Sequence, residues 1–278
     1  MIGAENRGKP GFDRCYGRAN LGRSNDIPRY SFDRFKNVAT STVDSVKGRR
    51  TTVALKIAMA VTGLFFVLFL LMHMYGNLKM FVGPEAYDGY AHWMRTILYP
   101  VLPHEGTLWV LRFVLLASIL IHVWAAVTLW KRAGKARGQA YKVNTGKKIT
   151  AIHSYTGSLM RWGGIALAFF IVFHILQFTS LHINAVGGTR ADYVALGPYY
   201  RMIGSFQPEN WWVYVIYLIA IAALAFHMHH GVWSALATLG LSRSNREKAY
   251  KVIADVVALA IFVGFMTPPT AILFGIIS

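Results

Sequence analysis

The run from Trp211 to Gly240, WWVYVIYLIAIAALAFHMHHGVWSALATLG, decides the fold. It is long enough for a helix that crosses a bilayer, since about 20 residues suffice at about 1.5 Å of rise each. Near its middle stands Phe226-His227-Met228-His229-His230-Gly231. An imidazole in hydrocarbon is costly unless something uses it, so three close together mark a buried functional site. Successive helical residues turn by about 100°, which puts His227 and His230 on roughly one face and His229 elsewhere.

Working outward, apolar runs at 53–75, 108–130 and 162–181 precede this one and another at 252–278 follows it. The chain has 278 residues, of which 55% are hydrophobic and 15% charged. A soluble helical protein would show one charged face per helix, and these runs have almost no charge. The expected fold is therefore all-α, a transmembrane bundle of five helices over 51–278, preceded by a basic extension at 1–50. That extension, rich in Gly, Pro, Arg and Asn but carrying Phe12, Tyr16, Tyr30, Phe32 and Phe35, is expected to lie against a partner rather than to be a plain flexible tail. No apolar signal peptide opens the sequence. A single cysteine, Cys15, leaves no internal disulfide to form.

The net charge of +17 raises nucleic acid as a partner, but its distribution argues against it. Of the 29 Lys and Arg, twelve lie in 1–56, eight in 131–161 and four in 242–251. Five spans put these three segments on one side. The positive-inside rule then places the N-terminus in the cytoplasm and the C-terminus outside, with anionic lipid and an acidic partner surface as the complement of the charge.

Each of the first four spans carries one histidine at a useful depth. His73 and His174 fall in the outer half, His122 and His227 in the inner half. Two imidazoles at one height on facing helices suit a bis-imidazole b-type haem, and two such levels would carry electrons across much of the bilayer. Each ligand should hand its second ring nitrogen to a carbonyl or hydroxyl. His227 matches the depth of His122, whereas His230 is better placed for a propionate, a quinone or a polar network. Arg112, near the outer end of the second span, either snorkels or meets an internal anion. A diiron or zinc centre would want carboxylates or thiolates, and the spans offer only Asp255 near an end. Histidines that merely pack or relay protons are the bland alternative. The outer loop 77–107 reads as a segment lying at headgroup level, and in 183–210 Gly187-Gly188 and Gly197-Pro198-Tyr199-Tyr200 read as turn material. The fifth span is expected to end at Thr267-Pro268-Pro269-Thr270 and to serve in packing.

These residues carry a resemblance. Leu71-Met72-His73-Met74 with Asn77, Ile121-His122-Val123-Trp124, Ser154-Tyr155-Thr156-Gly157 through Arg161-Trp162-Gly163-Gly164 to Phe173-His174, and Phe226-His227 followed by Gly231-Val232-Trp233-Ser234 resemble the cytochrome b membrane anchor of succinate dehydrogenases and fumarate reductases. The form resembled is the single-subunit, five-span, dihaem class, over roughly residues 50–278. The resemblance implies a bacterial cell-membrane protein binding two haem b groups, one between His73 and His174 and one between His122 and His227. It implies flavoprotein and iron–sulfur partner subunits that hold the FAD and the iron–sulfur clusters, and a quinone, expected to be menaquinone, as electron acceptor. Succinate chemistry would belong to the partners. A cytoplasmic-side quinone site is expected near His153, Tyr155, Ser158 and Arg161, with an outer site near His73, Arg112 and Glu209 as the alternative. The long N-terminal stretch departs from the family pattern and would clasp the partners or an adjacent copy in an oligomer of the complex. An anchor for quinol:fumarate reduction, a purely structural anchor and a transporter are the competing readings. The last lacks the internal repeat it would need.

Overall fold

The computed structural model describes residues 51–136, 149–241 and 247–278, with side chains from 159 onward in the second of these stretches. The extension at 1–50 lies outside the described residues, as do the basic loop at 137–148 and the side chains of His153, Tyr155 and Ser158.

Among the described residues eight α-helices follow one another: α1 Thr52–Leu78, α2 Pro84–Thr96, α3 Gly106–Ala136, α4 Ile149–His174, α5 Arg190–Ala195, α6 Pro198–Ser205, α7 Trp211–Thr238 and α8 Glu247–Leu273. Among the described residues the protein is all-helical, and α1, α3, α4, α7 and α8 are long and apolar enough to cross a membrane. It is a multi-span membrane protein, consistent with a transmembrane helical bundle. Leu, Ile, Val, Phe and Ala dominate the five, so backbone hydrogen bonds are satisfied within each helix and little polar surface is left to hydrocarbon.

Contacts at the helix ends set an up-and-down succession. Arg132, at the end of α3, donates to Thr52 Oγ1 at the start of α1 (3.1 Å). The Arg161 guanidinium, where the apolar part of α4 begins, lies over the Trp130 ring of late α3 (5.5 Å), and Lys251 of early α8 over Trp233 of late α7 (5.8 Å). One end of the bundle, the basic end, thus gathers Lys56, Arg132, Arg161 and Lys251.

The bundle has a centre and two flanks. α7 packs most extensively on α8, and α1 packs on both; α3 rests chiefly on α1, and α4 chiefly on α7. Ile221, Met228, Ala254, Ala258, Ile261 and Phe265 form the α7–α8 core, joined by Val67, Leu70 and Met74 of α1. Gly264 lets α1 approach α8, because a Cβ at that position would collide with the Met74 thioether. The flanking helices α3 and α4 share no comparable packing with each other and leave large apolar side chains exposed, including Phe113, Leu120, Trp124, Trp162 and Phe169.

The structure adds to or changes three expectations. The 77–107 segment, read as lying at headgroup level, contains a helix: Pro84 at the first helical position, Glu85 in the first turn and Arg95 in the last build α2, which buries no residue fully. The 183–210 segment contains α5 and α6. Thr189 and Asp192 form a reciprocal capping box after Gly187 and Gly188, whose φ values of 90° and 76° suit glycine, and Pro198 starts α6. Finally, α8 does not stop at Pro268-Pro269 but continues to Leu273, with both prolines fully buried. Thr267 returns its hydroxyl to Val263 O (2.6 Å), and Gly275 at φ 68° closes the end instead.

Candidate functional site

The four span histidines meet as two couples. The His73 and His174 rings have centroids 5.8 Å apart at 83°, and the His122 and His227 rings 6.3 Å apart at 55°. All four are partly buried. The couples join α1 to α4 and α3 to α7, which are the diagonals of the order α3, α1, α7, α4 rather than its packed sides. A diagonal contact lies in the interior of a four-helix arrangement, where cofactors of bundles are held.

At the couple nearer the basic end, the Thr62 hydroxyl donates to Ala58 O (2.7 Å) and lies 3.0 Å from His122 Nδ1. Phe66 packs edge-on against the same imidazole (5.8 Å). Bare backbone faces this level from two helices: a Cβ on Gly63 would touch His122 Cε1 at 3.6 Å, and one on Gly164 would touch His227 Cε1 at 3.8 Å. His227 Nδ1 is buried and has no hydrogen-bond partner.

The other couple sits in an aromatic enclosure. Phe69 stacks on His73 at 5.5 Å, Phe265 lies 5.7 Å from His73, and Phe170 and Phe178 flank His174 at 5.9 and 5.6 Å. His174 Nδ1 is 2.9 Å from Tyr217 Oη, and that hydroxyl donates to Gln177 Oε1 (3.0 Å). Gln177 is fully buried in the π turn Ile175–Thr179 that continues α4, and its Nε2 has no partner. Such turns recur at functional sites because the wider ring re-aims nearby side chains. Beyond it, Tyr193 donates to Gln177 O (3.4 Å). Outside the spans, burial followed by the charge of Asp88 pushes the Tyr87 hydroxyl up to about 12, so it stays a donor toward Asn77 Oδ1 (3.5 Å).

The remaining predicted residues lie apart. Arg112 is exposed with its guanidinium over the Trp109 ring (4.8 Å). His230 packs beside Trp233 (6.3 Å), while His229 turns away to Asp255 of α8 (Nδ1 to Oδ1, 2.7 Å). Of the four residues expected at a cytoplasmic-side quinone site, only Arg161 has a described side chain, at the mouth between α3 and α4. A half-open cavity of about 340 Å³ lined by Leu55, Trp124, Thr128 and Arg132 also opens at the basic end.

Sequence reading missed Thr62, Tyr217 and Gln177. A spacing signal was available: Thr62 lies eleven residues before His73 and Tyr217 ten before His227, about 15–17 Å along each axis, or three turns. Helices α1 and α7, each with a histidine at one level, thus carry a hydroxyl at the other.

The couples fit a bis-imidazole centre. Two imidazoles on opposite sides of one metal ion, each with a bond of about 2 Å, place their ring centres about 6 Å apart. Both couples are close to that value, neutral imidazole is the right donor, and glycine backbone leaves room beside the rings at one level. Among the described residues no group of three or more His, Cys, Asp or Glu gathers as a carboxylate or thiolate centre would require.

Comparison with known proteins gives no family model, no curated protein and no solved structure that matches this chain.

Proposed function

We propose that this chain is the membrane anchor and cytochrome b subunit of a succinate:quinone oxidoreductase, carrying electrons from an iron–sulfur partner to quinone across two b-type haems. The observation that carries the reading is the meeting of His73 with His174 and of His122 with His227, at metal-bridging separation, on helices that share no extensive packing. Histidines kept for packing alone have no reason to pair at two levels along both diagonals. When bound, each haem would supply a one-electron iron couple whose potential follows its axial ligands and surroundings.

The chain's own residues set the frame. Helices α1 and α4 hold His73 and His174 at one level, and α3 and α7 hold His122 and His227 at the other. Phe69, Phe170, Phe178 and Phe265 keep water from the first couple and lower the local dielectric. Quinone would enter at the basic end beside His153, Tyr155, Ser158 and Arg161, where Arg161 can donate to a carbonyl oxygen. A site near His73, Arg112 and Glu209 at the opposite end is the alternative. Flavoprotein and iron–sulfur subunits would dock on the basic end, in the cytoplasm of a bacterium, which also places the N-terminus inside and the C-terminus outside. The same wiring serves quinol:fumarate reduction with the electron flow reversed.

The test is a reduced-minus-oxidised spectrum of the purified membrane protein with pyridine-haemochrome counting. Two b-type haems per chain are expected. A chain that folds and inserts but binds none is a structural anchor, and the proposal fails.

A further inference from the structure

Each histidine couple has one member beside a hydroxyl, and in both cases the hydroxyl's only proton is already engaged. Thr62 donates to Ala58 O at 2.7 Å, and Tyr217 to Gln177 Oε1 at 3.0 Å. A hydroxyl so committed offers only lone pairs to a further neighbour. The Nδ1 atoms of His122 and His174, at 3.0 and 2.9 Å, must then be the donors. In a neutral imidazole that puts the proton on Nδ1 and the free lone pair on Nε2.

We infer that Thr62 and Tyr217 are positioning residues that fix His122 and His174 in the Nδ1–H tautomer and present Nε2 as the ligating atom, with Gln177 holding Tyr217 in that role. The inference rests on the haem reading above and deepens it. Gln177 matters because a buried amide can reverse the chain of donors. With Oε1 toward Tyr217 the phenol proton is taken up; with Nε2 in that place the proton would be free to move toward His174. The structure has the first arrangement, with Oε1 toward Tyr217 and the fully buried Nε2 without a partner. His227 contrasts with this, since its Nδ1 is buried with no acceptor. Each couple therefore has one ring tied by a hydroxyl, on α3 at one level and α4 at the other.

A ring that donates Nδ1–H to an acceptor is a stronger electron donor through Nε2 and favours ferric iron. Removing the acceptor should favour the ferrous form. The experiment is a redox titration of the purified holoprotein, with each haem assigned beforehand by the single substitutions His174→Ala and His122→Ala. Tyr217→Phe is expected to shift the His174 haem toward reduction by about tenfold in equilibrium constant, about 59 mV for one electron, and to leave the other in place. Thr62→Val should shift only the His122 haem, and Thr62→Ser should return it to the wild-type value. If Tyr217→Phe does not load its haem, the Thr62 pair decides the matter at the other level. Unchanged potentials with both haems bound, or equal movement of both, overturn the inference while leaving the haem reading intact. Absence of haem from the wild-type chain removes the reading itself.

Discussion

At the scale of single residues, three histidines in four positions have separate fates. His227 faces His122, His230 lies along Trp233, and His229 reaches Asp255 with more than half of both side chains exposed. The 100° rotation per residue anticipates that His229 points away, but its acid partner sits on the next helix and is beyond any local pattern. Replacing His229 by Ala should leave both proposed haem centres spectrally unchanged, whereas His227→Ala should remove one; loss of a centre from the His229 variant would shift the ligand register. Asp192 offers a separate test. Hydrogen bonds from the Thr189 hydroxyl and backbone hold its carboxyl below the usual range, so the capping box contributes above the ordinary Asp value and is lost as pH falls through the lowered one. Thr189→Ala should move the Asp192 carboxyl titration back upward, measured by NMR of the labelled carboxyl, and no movement would dissociate the shift from the cap.

At the scale of elements, hydropathy alone locates all five long helices, because an unbroken apolar run has few other folds available to it. Their ends are less legible. The start of α4 at Ile149 lies well before the apolar run, since polar residues extend a helix past the hydrocarbon without altering the hydropathy signal. In α8 the proline pair suggests a stop, yet neighbouring helices bury both rings and the chain continues. The short helices α2, α5 and α6 were within reach through Pro84, the Thr189–Asp192 box and Pro198, signals that a reading focused on turns passes over. The contact between α1 and α8 depends on Gly264. Replacing Gly264 with Leu should cost about 1–3 kcal/mol by overpacking, read as a lower unfolding midpoint in detergent, and Ala, whose Cβ alone already meets the Met74 thioether, should lower it less. An unchanged midpoint for the Leu variant would mean the two helices have slack at this level.

At the scale of the whole molecule, the chain reads as two stacked levels three helical turns apart. One holds Thr62, His122, Gly164 and His227; the other holds His73, His174 and Tyr217. Depth along each span is legible because helical rise is constant, and it was enough to sort the histidines into couples. Which helices lie diagonally opposite is not legible, because it depends on how five apolar cylinders with weak facial bias choose neighbours. The hydroxyls that hold the rings escape for the same reason, lying 60 and 43 positions from the histidines they meet. The most direct measurement is a redox titration of visible absorbance in four single variants, His73→Ala, His174→Ala, His122→Ala and His227→Ala. The expected result is that the first two abolish one and the same haem component and the last two abolish the other. Loss of different components from His73→Ala and His174→Ala, or retention of both components in any of the four, would contradict the paired-imidazole centre.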